Sequence, residues 1–230
     1  MVTTRDLKKS YVTGAGSLEV LHGVNFKLDE GEFTAIMGPS GSGKSTFMNI
    51  LGCLDVQTSG DFELLGESVK NLSPDQLAKH RNRFIGFVFQ GYNLLPKSDL
   101  VENVSLPLLY SRVPAAERRK RALEQLDKVG LTPWVDHLPT QVSGGQQQRA
   151  AIARALVGKP SLILADEPTG NLDSQTSDEI MQLLISLNDE GTSLILVTHE
   201  PDVAECAKRI VRFRDGLLVE DAPVEKRRIP

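Results

Sequence analysis

Gly38-Pro39-Ser40-Gly41-Ser42-Gly43-Lys44-Ser45 fits the spacing G-x-x-x-x-G-K-[ST], and its flanks decide how the chain folds. Ahead of it, Glu32-Phe33-Thr34-Ala35-Ile36-Met37 is a short β-prone run. Behind it, a helix is expected from near Lys44, with Phe47, Ile50, Leu51 and Leu54 on its buried side. A glycine-rich turn between strand and helix is the context of a phosphate cradle. Glycine tolerates the tight turns that aim successive N–H groups inward, and the helix start adds partial positive charge. Lys44 is expected to reach β- and γ-phosphates, and the Ser45 hydroxyl to ligate Mg²⁺. The expected nucleotide contacts here are Gly38, Pro39, Ser40, Gly41, Ser42, Gly43, Lys44, Ser45 and Thr46.

Outward from the loop, Phe84–Phe89, Leu162–Ala165 and Leu194–Val197 are continuous apolar runs. Strands buried on both faces read this way, which predicts a parallel sheet. Between the last two, Ser174 can cap a helix carrying Ile180, Leu183, Leu184 and Leu187, closed by Gly191. Strand, helix and strand in this order imply a right-handed crossover. Two regions break the alternation. The stretch up to about Leu28, with Asp61–Leu65, reads as extended segments with turns at Gly14-Ala15-Gly16 and Glu30-Gly31. It predicts a small antiparallel sheet leaning on the core. From Gly91 to about Val157 the pattern is mostly helical, with helices over Ala115–Val129 and Gln146–Leu156. The polar tail, 221–230, is expected to fray.

The 230 residues are enough for one substantial α/β domain. With 40% hydrophobic and 24% charged residues the composition is that of a globular protein. A net charge of −4 argues against a nucleic-acid partner. No apolar run approaches the ~20 residues that span a bilayer. The start, Met1 to Leu7, lacks the apolar stretch of a secretory signal, so a cytoplasmic chain is expected. Cys53 and Cys206 fit no metal spacing and are expected as structural thiols. Arg118-Arg119-Lys120-Arg121 follows Glu117 on an amphipathic helix and reads as a solvated face.

Leu162-Ile163-Leu164-Ala165-Asp166-Glu167 is an apolar strand ending in two acids. In a chain with a phosphate loop, Asp166 is expected to support Mg²⁺, and Glu167 to act as general base on the attacking water.

Gln141-Val142-Ser143-Gly144-Gly145-Gln146-Gln147-Gln148-Arg149 resembles the signature of ABC (ATP-binding cassette) ATPases, with Val142 in place of the usual Leu. Ser143, Gly144 and Gly145 precede a helix, so backbone amides, a hydroxyl and a helix dipole form a second anion site. The resemblance implies an α/β fold. It has a RecA-like P-loop NTPase core with a mostly parallel sheet, an N-terminal antiparallel β subdomain and an α-helical subdomain. It makes residues 1–230 one nucleotide-binding domain, with the core at about 1–90 and 158–220 and the helices at about 91–157. It also implies that Ser143, Gly145 and Gln146 close on the γ-phosphate held by a second copy in a head-to-tail homodimer. Tyr11 then matches the aromatic that stacks on adenine, and Gln90 the glutamine that touches Mg²⁺ and senses the transmembrane partner. Asn171-Leu172-Asp173 matches the D-loop, although its first two positions depart from the common pattern, and Asp173 would cross the interface. His199 matches the switch histidine that holds the γ-phosphate and orders Glu167. His22, His80 and His137 are expected in surface or packing roles.

Leu51-Gly52-Cys53-Leu54-Asp55, Asn93-Leu94-Leu95-Pro96, Glu102-Asn103-Val104 and Thr169-Gly170-Asn171-Leu172-Asp173 look like the macrolide-exporter and lipoprotein-release ATPases. The implied activity is Mg-dependent hydrolysis of ATP, driving a separate membrane permease by mechanotransmission, with an extracytoplasmic adaptor as a further partner. The implied location is the cytoplasmic face of the cell membrane, peripheral through the permease. The segment Gly91 to Leu109, with Leu94, Leu95 and Pro96, is expected to receive the permease. Signalling to extracytoplasmic enzymes without transport is the alternative output. An ABC ATPase of DNA repair or translation is disfavoured, because no coiled-coil insertion or second cassette is present; a small-molecule kinase would lack Ser143 to Gln146.

Overall fold

The computed structural model describes residues 1–14 and 16–230, with backbone alone for Thr13, so the central residue of the expected Gly14-Ala15-Gly16 turn lies outside the described residues. In chain order, β1 (Val2–Thr13) and β2 (Gly16–Leu28) form a long hairpin, followed by β3 (Phe33–Met37) and α1 (Lys44–Leu51). Next come β4 (Ser59–Leu64), β5 (Glu67–Ser68), α2 (Pro74–Phe84) and β6 (Ile85–Phe89). Helices α3 (Leu100–Tyr110), α4 (Ala115–Lys128) and α5 (Gly144–Leu156) follow. The chain closes with β7 (Leu162–Asp166), α6 (Ser174–Asp189), β8 (Ser193–Val197), α7 (Pro201–Ala204), β9 (Arg209–Arg214) and β10 (Leu217–Pro223).

The strands form two sheets. The first is antiparallel, in the order β2-β1-β4-β5. The second runs β10-β9-β3-β8-β7-β6 and is parallel except for β10, which pairs antiparallel with β9 at the edge. β3 and β8 are buried at every position, as their unbroken apolar sequences require. Successive residues serve opposite faces. Ile36, Leu164 and Ile195 join a cluster with the antiparallel sheet and α1, where Phe47 packs edge-on against Phe26 and tilts against Phe213. Phe33, Ile163 and Leu196 join a second cluster under α6 and α7. A third, around Leu100, Val104, Leu126 and Ala150, holds α3, α4 and α5 together.

Several expected boundaries shift. α1 stops at Leu51, since Gly52 lies against the Phe87 ring and Cys53 takes a left-handed φ of 53°. Leu54 is therefore off the helix and 48% exposed, not buried. Leu65 turns out of the expected 61–65 strand at φ 54°. Phe84 ends α2, a helix the apolar pattern did not reveal, begun by a Ser73–Gln76 capping box with Pro74 in the first turn. α6 is capped by the Asp173 side chain, which accepts from the Thr176 N–H, and Ser174 is its first helical residue. Gly191 does sit just past its end, at φ 102°. α5 starts at Gly144, two residues before Gln146, and α4 ends at Lys128.

The tail packs back on the fold, where loose residues were expected. Residues up to Pro223 belong to β10, and Arg227 Nε donates to the Cys206 carbonyl at 2.6 Å. Arg228 pairs with Asp178 of α6 at 2.9 Å. A polar tail needs cationic partners for the acids beneath it rather than an apolar face, and this one has them. The basic run is tied down locally: Arg118 donates to the Val113 carbonyl, Arg119 pairs with Asp136, and Arg121 with Glu117. Among the described residues no helix is long and apolar enough to cross a membrane.

Candidate active site

Parallel strands end on one edge, where open α/β sheets bind ligands. In register, Ile36 lies beside Val197, Val197 beside Asp166, and Asp166 beside Phe89. One step further along each strand, the chain delivers Thr198, Glu167 and Gln90 to that edge, beside the loop that opens at Gly38. Gly38 has φ 149°, and a Cβ on it would stand 2.2 Å from the Phe213 carbonyl. Only glycine fits there. Gly43, at φ 101°, opens α1.

Two features of the loop fit a polyphosphate. The Ser42 side chain is buried and its hydroxyl finds no partner among the described residues. Lys44 Nζ donates to the carbonyls of Gly38 and Pro39, at 2.7 and 2.9 Å, and so reaches back over the loop. Burial pushes the Lys44 ammonium below its usual range, while Glu167 and Asp166 pull it back.

Asp166 is partly buried, and its carboxyl is raised by burial and then by Glu167, with Lys44 acting against both. A buried carboxylate crowded by another favours a cation between them and a polyanion. No cluster of three His, Cys, Asp or Glu side chains able to hold a metal exists among the described residues. Mg²⁺ takes one or two carboxylates and completes its shell with phosphate and water. Ser45 and Asp166 are fit to hold such an ion.

Glu167 adopts φ 46°, an uncommon conformation for a non-glycine residue and one often found at active sites. It is held there by its N–H, which donates to the Val197 carbonyl at 2.9 Å. Its Oε1 meets His199 Nδ1 at 2.7 Å, and Thr198 Oγ1 donates to its Oε2 at 3.4 Å. The hydrogen bond between His199 and Glu167, reinforced by the carboxylate charge, raises the His199 pKa. Thr198 is fully buried and also accepts from the Glu200 N–H at 3.0 Å. The sequence reading missed Thr198, although its place between an apolar strand and His199 was a usable signal.

Gln90 is exposed and locked to the loop after Glu167: its Nε2 donates to Asn171 Oδ1 at 3.4 Å, and Asn171 Nδ2 donates to its carbonyl at 3.0 Å. Tyr11 lies on β1 with its hydroxyl on Asp55, 2.7 Å away. The signature residues form a second group. Ser143 caps α5 in a reciprocal box with Gln146, Ser143 N donating to Gln146 Oε1 at 2.8 Å. Gly145 packs on Thr176, whose hydroxyl donates to Asp173 at 2.6 Å. Gln146 and Asp173 thus have partners inside this chain, as helix caps, where the resemblance gave them nucleotide and interface roles.

The sequence profile described as ABC transporter matches residues 21–170. The chain belongs to the ABC transporter family. This ABC cassette is 52% identical to the ABC transporter ATP-binding protein YknY of Bacillus subtilis, over 95% of each chain. It is also 52% identical to the macrolide export ATP-binding/permease protein MacB of Syntrophobacter fumaroxidans, over 95% of this chain but only 31% of that protein's length. Among solved structures it is similar to the dimeric post-hydrolysis state of the ATP-binding cassette MJ0796 bound to ADP and Pi. The TM-score is 0.90 at 46% identity, covering 98% of this chain and 99% of that one. The cassette is an ABC ATPase domain, with ATP as its nucleotide.

Proposed function

We propose that two copies of this cassette close head-to-tail around ATP, hydrolyse it at two composite sites, and so drive a separate membrane permease of the export type. The observation that carries this reading is the division of the chemistry. Lys44, Asp166, Glu167 and His199 interact at the sheet edge, whereas the glycines at the start of α5 neighbour Tyr92, Leu172 and Thr176 instead.

In this reading Lys44 exchanges the two loop carbonyls for β- and γ-phosphate oxygens, and Ser42 gains the partner it lacks. Glu167 accepts the proton of a water whose oxygen bonds to the γ-phosphorus as the bond to the ADP oxygen breaks. His199 keeps the Glu167 carboxylate aimed and bonds the γ-phosphate. The α5 start of a second copy adds backbone donors to the developing charge. Ser45, Asp166 and Gln90 would hold Mg²⁺, which supplies charge neutralisation on the phosphates. Tyr11 supports the adenine and Asp173 approaches the dimer interface. The core, the helical subdomain at about 91–157 and the N-terminal sheet act as parts of one domain.

The permease contact is supported by a groove of about 710 Å³ beside the segment after Gln90, lined by Phe87, Asn93, Leu106, Pro107, Tyr110 and Arg154. Tyr110 is 72% exposed there, and Leu95, on the same segment but outside the groove, is 46% exposed. Such a partner would hold the cassette at the cytoplasmic face of the cell membrane. The MacB relative, which joins export ATPase and permease in one name, favours the export type.

The test is a mixed dimer of Ser143→Arg and Lys44→Ala chains. One intact composite site forms in the mixture and ATPase activity returns, whereas each variant alone stays inactive. Activity no greater than the sum of the two variants overturns the shared site. Crosslinks from positions 95 and 110 to a co-purified permease test the docking segment and its groove, and a cassette crosslinked only elsewhere refutes them.

A further inference from the structure

We propose that Asp55 and Lys9 are positioning residues for nucleotide binding, holding the Tyr11 ring in fixed register with the phosphate loop. The proposal rests on the reading of Tyr11 as the surface that adenine stacks on. A tyrosine 38% exposed on an open strand is normally free to change rotamer. This one is held at three points. Its O–H donates to Asp55 Oδ2 at 2.7 Å. The Thr46 hydroxyl acts on its phenolic oxygen, lowering the phenol's pKa against burial and Asp55. The Lys9 ammonium lies over one ring face, 4.7 Å from the centroid.

Lys9 is itself unusual. It is only 7% exposed, and lysine is almost never buried without a partner. Its Nζ donates to Asp55 Oδ1 at 2.6 Å and to the Val56 carbonyl at 2.7 Å. Burial pushes the Asp55 carboxyl up, but hydrogen bonds from Lys9, Tyr11 and the Val56 N–H outweigh it and hold the group ionised. Both ends of the network are fixed to α1. Thr46 is in its first turn, and the N–H groups of Leu54 and Asp55 donate to the Asn49 carbonyl at 2.8 and 3.2 Å. Ring and phosphate loop are therefore two ends of one rigid unit. With Lys9 on one face, the base has the other, and no free side chain must be frozen when it stacks.

A merely structural role, pinning β1 to the loop after α1, would disturb phosphate and base binding alike. The experiment measures ATPase KM and kcat, with inorganic tripolyphosphate as a competitive inhibitor that has no base. Asp55→Ala is expected to raise the KM for ATP by about 3- to 10-fold, the cost of ordering one free side chain on binding. Its kcat stays within about twofold, the tripolyphosphate inhibition constant is unchanged, and Asp55→Ala has a smaller effect in a Tyr11→Phe background than in the parent. Asp55→Asn and Lys9→Met carry the same expectation in weaker form should Asp55→Ala fail to fold. Parallel loss of tripolyphosphate affinity, an unchanged KM, or effects that multiply with Tyr11→Phe overturn the proposal. An unchanged KM in Tyr11→Ala removes the stacking reading and the proposal with it; a raised KM there alone overturns only the proposal.

Discussion

Gly145 sits in the signature, and loss of activity on its replacement would usually be read as failure of the dimer. The structure predicts an effect inside the monomer. A Cβ on Gly145 would stand 2.4 Å from Thr176 Cγ2, well inside contact distance. Thr176 cannot easily turn away, because it is β-branched and its Oγ1 and N–H both bond to Asp173, at 2.6 and 3.0 Å. Overpacking of this kind costs about 1–3 kcal/mol. The opposing term is the helix propensity gained from Gly→Ala, at most about 1 kcal/mol. With the clash at about 2 kcal/mol, the middle of its range, about 1–2 kcal/mol of net cost remains, and Gly145→Ala is expected to lower the melting temperature of the nucleotide-free monomer by roughly 2–8 °C, at about 2–4 °C per kcal/mol for this size. Thr176→Ser deletes the clashing methyl and keeps the hydroxyl. In that background the sign reverses, and Gly145→Ala becomes neutral or stabilising. The assay is thermal and urea unfolding of the four proteins of this cycle, below the concentration of dimerisation. An unaltered Gly145→Ala, or a serine that fails to rescue it, refutes the reasoning.

Glu167→Gln keeps the side-chain shape but removes the proton acceptor, so kcat is expected to fall by about 10²–10⁴ while ATP affinity persists; turnover within tenfold of the parent excludes Glu167 as base. The same variant frees His199, whose pKa drops back toward 6.5. In the parent the charged pair is fully present below pH 6.5 and is lost as pH rises through the raised value. An NMR titration of His199 that does not move between the two proteins contradicts that pairing. Thr198→Val strands the Glu200 N–H and one side of Glu167, and should destabilise the fold by about 1–2 kcal/mol while lowering kcat; urea unfolding with unchanged stability counts against it. Phe47→Ala empties the contact between Phe26 and Phe213 beneath the phosphate loop and should cost about 3–5 kcal/mol in urea unfolding. A loss under 1 kcal/mol would mean that the two sheets do not share this core.

The phosphate loop, the two acids after Ala165 and the signature were legible because each is a local pattern. Fixed spacing, a strand before and a helix after suffice to read them, and buried parallel strands announce themselves as unbroken apolar runs. Boundaries such as Leu54 and Ser174 were not legible. Whether a helix continues past Leu51 depends on the Phe87 ring against Gly52, and which of two capping residues serves α6 depends on side-chain geometry. The polar tail read as loose because its partners, Asp178 and the Cys206 carbonyl, lie far away in sequence. Sequence by itself located the phosphate loop, the two acids and the signature as the candidates for phosphate chemistry. Only the tertiary structure decided that Asp55 holds Tyr11, 44 residues away, and that Thr198 steadies Glu167, 31 residues away. Contacts across such separations are set by strand register and by the packing of whole elements, and no local spacing encodes them.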